Sequence, residues 1–294
     1  MGPTEVLLGL GATVVALDVP IKSVWDRLIA MAVQSPGTLV LPTRIPVPAD
    51  APAATMAEVA GCNLLDGGHC LAARWLLKLR PDERMTIGAY AYLDGPKFVF
   101  IAAAMDAVME YVRERRSGVS YAYLCTPTDI HLRPEAAWRQ STSQWRARSP
   151  TDVACAALSG GRFCQSPEVG PPIDGGAGSG QLYPVDCTVT TQGPNYLLAK
   201  RLQHWRAMVA RDEGIVVSAN VAPASATISV MKQKMLAAAY AGTRYFPPIE
   251  IFAPETSNAV MTYALINDLY NPRSASQPTT RLGNPLQLFT EGAW

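Results

Sequence analysis

The sequence has little charge and no long apolar run. Charged residues make up 17% of its 294 residues, whereas hydrophobic residues make up 49%. This balance excludes an intrinsically disordered chain, which combines low hydrophobicity with high net charge. Lys and Arg number 25 against 24 Asp and Glu, so no overall field attracts a polyanion and we expect no nucleic-acid partner. The longest apolar segment, Phe98 to Met105, is too short to span a bilayer.

Paired cysteine motifs and targeting signals are also lacking. The six cysteines show no CxxC motif and no regular spacing, which is typical of reduced thiols in a cytosolic protein. Cys62, His69 and Cys70 lie close together in sequence, but no fourth ligand lies near them, so we expect no metal site. The N-terminal region has no basic stretch followed by an apolar run and a cleavage site. We therefore expect a cytoplasmic protein.

Short β-branched runs alternate with helical patterns in the first part of the chain. The predicted strands are Thr13–Leu17, Thr38–Leu41, Met85–Tyr92 and Val119–Cys125. One predicted helix follows Pro20, two more lie within Ala53–Leu79 and are separated by its glycines, and another spans Phe98–Arg115. The Arg113–Arg116 run is interpreted as a solvated helix end. Alternation at this spacing predicts right-handed βαβ units. The predicted fold class is α/β, a Rossmann-like doubly wound parallel sheet in a single domain.

The alternation is interrupted between Thr126 and Gln181, where Ser, Arg, Gly and Pro dominate. We interpret residues 127–181 as a long Gly/Pro-rich insertion that runs over the surface without a core of its own. Residues 1–126 and 182–294 would then be the two parts of one domain. The second part is predicted to contain helices at Tyr196–Arg211, Ile228–Tyr240 and Asn258–Leu269, and strands at Ile215–Val221 and Ile249–Phe252.

Asp18 ends the first apolar strand. Parallel α/β sheets bind dinucleotides at the carboxyl edge of their strands, where an acidic side chain accepts hydrogen bonds from the adenosine ribose. A turn-forming or helix-capping aspartate is the alternative. Asp18 is therefore a candidate cofactor-binding residue.

Tyr196 and Lys200 are the candidate chemical pair. Residues four apart on a helix share a face, so an ammonium can lie beside the phenol, lower its pKa from about 10 and let it pass a proton. A solvated helix face is the alternative, but an apolar strand follows and ends at Pro223, with Thr227 shortly after. His204, one turn beyond Lys200, is interpreted as a satisfied or surface histidine rather than a proton relay.

This order of features resembles the short-chain dehydrogenase/reductase family. Members carry a GATVV…D strand, a YxxxK helix, and a GI.V….AP strand followed by a loop that commonly includes Thr. The resemblance implies an NAD(P)-dependent oxidoreductase that acts on an alcohol or carbonyl, with Tyr196 as general acid/base and Lys200 on the nicotinamide ribose. It also implies that Asp18 binds the adenosine ribose and favours NAD over NADP. Pro223 and Thr227 would flank the nicotinamide.

The chain departs from the family at the glycine-rich TGxxxGxG loop, which precedes the acidic strand and cradles the pyrophosphate. Gly9 and Gly11 form only a bare GxG. Either the sequence is a fragment, or it has lost the phosphate loop. In the second case the chain would be a noncatalytic Rossmann-like binding or assembly module.

The position of the family's catalytic serine is a second departure. If the strand before the YxxxK helix is Val119–Cys125, the hydroxyl belongs to Thr126 or Thr128. If that strand is Val185–Val189, the candidates are Thr188 and Thr190. The expected partner is a small-molecule substrate, and assembly into a homo-oligomer stays open.

Overall fold

The structure is a computed structural model that describes residues 3–48, 50–161, 169–175, 180–188, 192–232, 234–245 and 250–289. Parallel strands alternate with helices in it, which confirms the predicted α/β class. No helix within the described ranges is long and apolar enough to cross a membrane.

The elements follow the predicted order through most of the chain. The strands are β1 (Thr13–Val15), β2 (Thr38–Val40), β3 (Met85–Ala89), β4 (Val119–Cys125), β5 (Ile130–Pro134), β6 (Ile173–Asp174), β7 (Gln181–Asp186) and β8 (Val217–Val221). The α-helices are α1 (Thr4–Gly9), α2 (Lys22–Val33), α3 (Ala53–Val59), α4 (His69–Lys78), α5 (Pro96–Arg113), α6 (Glu135–Arg146), α7 (Pro150–Leu158), α8 (Gly193–Asp212), α9 (Ile228–Met231), α10 (Lys234–Gly242) and α11 (Pro254–Tyr270).

The parallel strands form two small sheets. Strand β1 pairs with β2, and α2 is the crossover between them. Strands β3, β4 and β8 form the second sheet in that order, and α5 connects β3 to β4. The side chain of Trp25 on α2 is fully buried, and its Nε1 donates to the carbonyl oxygen of Val19 at 2.9 Å. That bond fastens the start of α2 to the segment that follows β1.

The main core lies between the three-stranded sheet and its helices. Helix α5 contributes Phe98, Met109 and Val112, β4 contributes Tyr121, and β8 contributes Val217, all at most 1% exposed. Burying one large apolar side chain contributes about 1.5 to 3 kcal/mol. The helical spacing of the sequence predicts one apolar stripe on this helix, and all of its members are buried: Ile101, Met105, Val108, Met109 and Val112.

Glycines separate α3 from α4, as predicted. Gly61 and Gly67 have φ values of +113° and +78°, a backbone region that L side chains rarely adopt. A Cβ at Gly61 would also lie 2.5 Å from the Cα of Pro20. The break between the two helices is therefore determined by the local sequence.

The insertion is more ordered than the composition predicted. We expected residues 127–181 to run over the surface as an irregular loop, but they include α6, α7 and strands of an antiparallel sheet with the order β5–β7–β6. The rings of Trp138 and Tyr183 stack with their centroids 4.3 Å apart. Helices α6 and α7, described throughout, contribute no buried residue. Composition did not reveal the sheet because its strands pair across long sequence separations.

Two further predictions differ from the structure. The predicted helix Ile228–Tyr240 consists of two helices, α9 and α10. In the predicted strand Ile249–Phe252, Ile249 lies outside the described residues, and Phe252 forms an isolated bridge with Ser225. An isolated bridge of this kind is shorter than the strand that the sequence predicts.

Arg116 is the clearest exception to the expected solvated helix end. It is buried, 8% exposed. Its guanidinium donates to four carbonyl oxygens, those of Leu76, Leu79, Arg80 and Glu83. Carbonyls at a helix C-terminus have no partner within the helix and carry partial negative charge. Arg116 therefore caps the C-terminal end of α4 from the segment before β4.

Candidate active site

The candidate site lies where β4 and β8 end. Cys125 pairs with Val221 in the parallel register, and the amide nitrogen of Ala222 donates to the carbonyl oxygen of Cys125 at 3.0 Å. Thr126 directly follows β4 and Pro223 follows β8, so two loops leave the sheet side by side. Ligands of parallel α/β sheets bind at this carboxyl edge.

Helix α8 presents Tyr196 and Lys200 to the end of β4. The Oη atom of Tyr196 donates to Oγ1 of Thr126 at 3.1 Å. One turn further, the Nζ atom of Lys200 donates to the carbonyl oxygen of Leu124 at 2.8 Å. The structure thus brings together the Tyr196 and Lys200 pair of one helix with Thr126, which the sequence nominated separately from the end of a strand.

The four candidate threonines occupy different places. Thr126 is buried and contacts Tyr196, and the Oγ1 of Thr128 lies 2.8 Å from that of Thr126. Thr188 is exposed and donates to Asp186 at 2.6 Å. Thr190 lies outside the described residues. Of the three described candidates, Thr126 is therefore the one that contacts Tyr196.

The ionisation of the pair differs from the sequence prediction. Burial raises the pKa of Tyr196 above its ordinary value. Burial also lowers the pKa of Lys200. The predicted lowering of the Tyr196 pKa by Lys200 is wrong for this structure, because desolvation of the phenol dominates and Lys200 donates to Leu124 instead.

Aromatic rings form one wall of the site. The ring centroids of Phe98 and Tyr92 lie 5.6 Å and 6.3 Å from that of Tyr196. A cavity of about 80 Å³ lies beside Tyr196 and is also lined by Gln192 and Asn195. Ligand pockets usually reach about 300 Å³ or more. The cavity therefore admits only a small polar group unless the surrounding loops move.

Asp129 fastens the loop after β4 to α8, and sequence reasoning assigned it no role. It is 4% exposed, and its carboxylate accepts from Nη2 of Arg201 at 2.8 Å and lies 3.6 Å from Nδ1 of His204. Its carbonyl oxygen accepts from the amide of Cys187 at 3.0 Å. An acidic residue just after a buried strand, and an arginine next to Lys200, were the available signals.

The side chain of His204 is 12% exposed, so it is largely shielded from solvent. Burial lowers its pKa to about 4, so the ring is neutral at neutral pH. Its Nε2 atom is buried and has no hydrogen-bond partner among the described residues. His131 supports the same region, because its Nε2 lies 3.1 Å from the carbonyl oxygen of Thr126.

The predicted cofactor residues fall on two separate edges. Pro223 and Thr227 lie on the loop after β8, the strand that pairs with β4. Asp18 follows β1 in the other sheet, where its exposed carboxylate accepts from the amide of Val19 at 2.7 Å. Among the described residues, no contact joins Asp18 to Tyr196.

The residues present fit the nicotinamide end of a dinucleotide better than its phosphates. The ammonium of Lys200 has three N–H donors, of which Leu124 takes one and Gln203 takes one weakly at 3.4 Å, and this leaves a donor for a ribose hydroxyl. Gly9 and Gly11 lie at the C-terminal end of α1, not between a strand and a helix N-terminus. They therefore do not form a phosphate-binding turn.

The cysteine and histidine cluster is engaged with the backbone. Sγ of Cys62 donates to the carbonyl oxygen of Gly68 at 3.3 Å, and Nδ1 of His69 lies 2.9 Å from that of Leu64. Within the part of the chain that the structure describes, no three His, Cys, Asp or Glu residues are arranged to hold a metal ion. No family model, curated protein or solved structure matches this chain.

Proposed function

We propose that the chain is an NAD(P)-dependent oxidoreductase of the short-chain dehydrogenase/reductase type, acting on an alcohol or carbonyl substrate. The main support is the contact of Tyr196 with Thr126 and of Lys200 with Leu124, which gathers three functional groups at the end of β4. The proposal includes a Rossmann-like sheet, with the cofactor across its carboxyl edge.

Each side chain has a role in this proposal. When bound, the cofactor supplies or accepts the hydride. In carbonyl reduction, Tyr196 Oη gives its proton to the oxygen of the reacting carbonyl, and solvent returns a proton to the phenolate. Thr126 positions that oxygen, and Lys200 holds the nicotinamide ribose. Alcohol oxidation transfers the same proton in the reverse direction.

The environment of Tyr196 keeps the phenol protonated, which is the state that carbonyl reduction requires. Burial raises its pKa, so the phenol keeps its proton at neutral pH and acts first as an acid. An acid at this position protonates the oxygen that gains negative charge during reduction.

Titrating the chain with NADH and with NADPH tests the proposal. Nicotinamide fluorescence and thermal unfolding should report saturable binding of at least one cofactor. Lys200→Met should weaken cofactor binding about 10- to 150-fold, because an ammonium–hydroxyl hydrogen bond contributes about 1.5 to 3 kcal/mol. Lys22→Met is the matched control, since Lys22 is exposed and pairs with Asp26 on α2. Absence of binding to both cofactors contradicts the proposal.

A noncatalytic binding or assembly module is the second candidate. It is favoured by the position of Gly9 and Gly11, which provides no phosphate turn, and by the separation of the parallel strands into two sheets. This candidate predicts no affinity for either cofactor, so the same titration distinguishes the two.

A further inference from the structure

Four side chains form a continuous hydrogen-bonded row that begins at Tyr196. Tyr196 donates to Oγ1 of Thr126 at 3.1 Å, and the Oγ1 atoms of Thr126 and Thr128 lie 2.8 Å apart. Thr128 then donates to the amide oxygen Oε1 of Gln192. We call these four residues the hydroxyl row. It links the candidate proton donor to a carboxamide.

The direction of every hydrogen bond in the row follows from counting protons. A threonine hydroxyl has one proton and two lone pairs. Thr128 gives its only proton to Gln192, so it accepts from Thr126. Thr126 accepts from Tyr196 and from the amide nitrogen of Thr128 at 3.2 Å, which occupies both of its lone pairs. The Thr126 proton is therefore committed to Thr128 and faces neither Tyr196 nor a substrate.

We propose that Gln192 is a positioning residue that controls this direction and withholds the Thr126 proton until its amide oxygen is engaged by a ligand. Once Gln192 releases Thr128, the Thr128 hydroxyl can rotate and donate to Thr126. Thr126 is then free to donate to the Tyr196 oxygen or to a substrate carbonyl. Only hydroxyl rotations are involved, and no covalent bond forms or breaks.

The position of Gln192 indicates the chemical class of the ligand that would engage its amide oxygen. Gln192 immediately precedes α8 and lines the cavity beside Tyr196, so a molecule entering the cavity meets its amide. The Oε1 atom accepts hydrogen bonds, so the competitor of Thr128 must be a donor. If the proposed function holds, the substrate carries a hydroxyl or N–H group close to its reacting carbonyl. This last step rests on the proposed function, whereas the direction of the row does not.

The ionisation of Tyr196 reports the direction of the row. A phenolate is stabilised when Thr126 donates to it, and that requires the reversed row. Among the described residues, the titratable groups that act electrostatically on Tyr196 are Tyr92 before α5, Cys125 on β4, Asp129 in the next loop and Tyr240 on α10, and Lys200 lies one turn along α8. None of them changes in a Gln192 variant, so a change in ionisation can be assigned to the row.

The experiment places 3-fluorotyrosine at position 196 and follows its single fluorine-19 NMR signal as a function of pH. No cofactor or substrate is needed. In Gln192→Ala the row can reverse, and we expect the acid dissociation constant of this phenol to rise about tenfold, because Thr126 then donates a hydrogen bond to the phenolate. Gln192→Glu is the matched control, because its carboxylate still accepts from Thr128 and should give no rise.

A second pair of variants acts on the middle of the row. Thr128→Val removes the acceptor of the Thr126 proton and should raise the dissociation constant in the same way, whereas Thr128→Ser should leave it unchanged. Thermal unfolding confirms that each variant is folded. An unchanged titration in Gln192→Ala or Thr128→Val, or an equal rise in the Ala and Glu variants, overturns the inference. Cofactor titration remains a separate measurement, so failure of the proposed function would not be mistaken for failure of the row.

Discussion

The two parallel sheets present very different carboxyl edges. At the end of β4, Thr126 is joined to Tyr196 on α8, and Asp129 is joined to Arg201 on the same helix. At the end of β1, Asp18 is exposed and its carboxylate accepts from the adjacent amide of Val19. The side chains at the first edge, which we call the braced edge, bind distant parts of the chain. At the second edge the backbone of Asp18 is held by the amide of Cys62 at 2.8 Å, but its carboxylate makes only the local bond. The side chains of the nicotinamide half of the proposed site are therefore more firmly positioned than the Asp18 side chain of the adenosine half.

The largest expected effect is at the braced edge. Tyr196→Phe removes the proposed proton donor and should reduce the turnover of aldehydes and ketones about 10²- to 10⁴-fold. The dissociation constant for the cofactor should stay the same, because the phenol acts on the substrate. Tyr270→Phe, at a residue 75% exposed, is the control. NADPH absorbance over a panel of carbonyl compounds measures the change, and full activity in Tyr196→Phe would exclude Tyr196 as the acid.

The capping of α4 by Arg116 can be tested by measuring the stability of the folded protein. Arg116→Met leaves the carbonyls at the end of α4 without their guanidinium and should lower the free energy of unfolding by about 3 to 4 kcal/mol. Urea unfolding measures this free energy. The neighbouring Arg115→Met is the control, because Arg115 is 45% exposed and pairs with Glu114. Equal effects at the two positions would show that burial of Arg116 is not what stabilises α4.

Acid should lower the free energy of unfolding through His204, which lies beside Asp129 at the braced edge. Its pKa is about 4 in the folded chain against an ordinary value of 6.5, chiefly because burial disfavours the imidazolium. The unfolded chain binds the additional proton, so the contribution is complete above pH 6.5 and is lost as the pH falls toward 4. We expect a loss of about 2 to 3 kcal/mol across that window. His204→Leu should flatten this part of the stability profile in urea unfolding, and an identical slope in the variant would refute the assignment.

The exposed edge should give the smallest effect. If Asp18 accepts from the adenosine ribose, Asp18→Ala should shift the ratio of the NADH and NADPH dissociation constants about tenfold toward NADPH, in line with one charge-assisted hydrogen bond. Asp26→Ala, on the exposed part of α2, is the matched control. Parallel titrations with both cofactors measure the ratio. An unchanged ratio would mean that Asp18 does not contact the ribose.

Local patterns predicted the parts of the fold that depend on neighbouring residues. The apolar run of β4 and the amphipathic stripe of α5 form the elements that their spacing indicates. The antiparallel sheet was not predicted, since Ile130 pairs with Asp186 across the whole insertion. Pairing over such a distance leaves no periodic signal in a Gly- and Pro-rich segment.

In the candidate site, too, the sequence predicted the features that depend on neighbouring residues and missed those that depend on distant ones. Helical spacing placed Tyr196 and Lys200 on one face, and the end of a strand nominated Thr126. Asp129 and Gln192 were missed, because their contacts join the loop after β4 to α8. The direction of the Tyr196 pKa was also missed, since desolvation depends on what packs around the ring.

The sequence by itself therefore determined the α/β alternation, the helix that carries Tyr196 and Lys200, and the strand end that carries Thr126. All three follow from backbone periodicity and the residues within a few positions. Only the tertiary structure decided which threonine contacts Tyr196, that His204 is largely shielded from solvent and neutral, and that Gln192 ends the hydroxyl row. Those properties depend on distance and solvent exclusion between segments that are far apart in the chain.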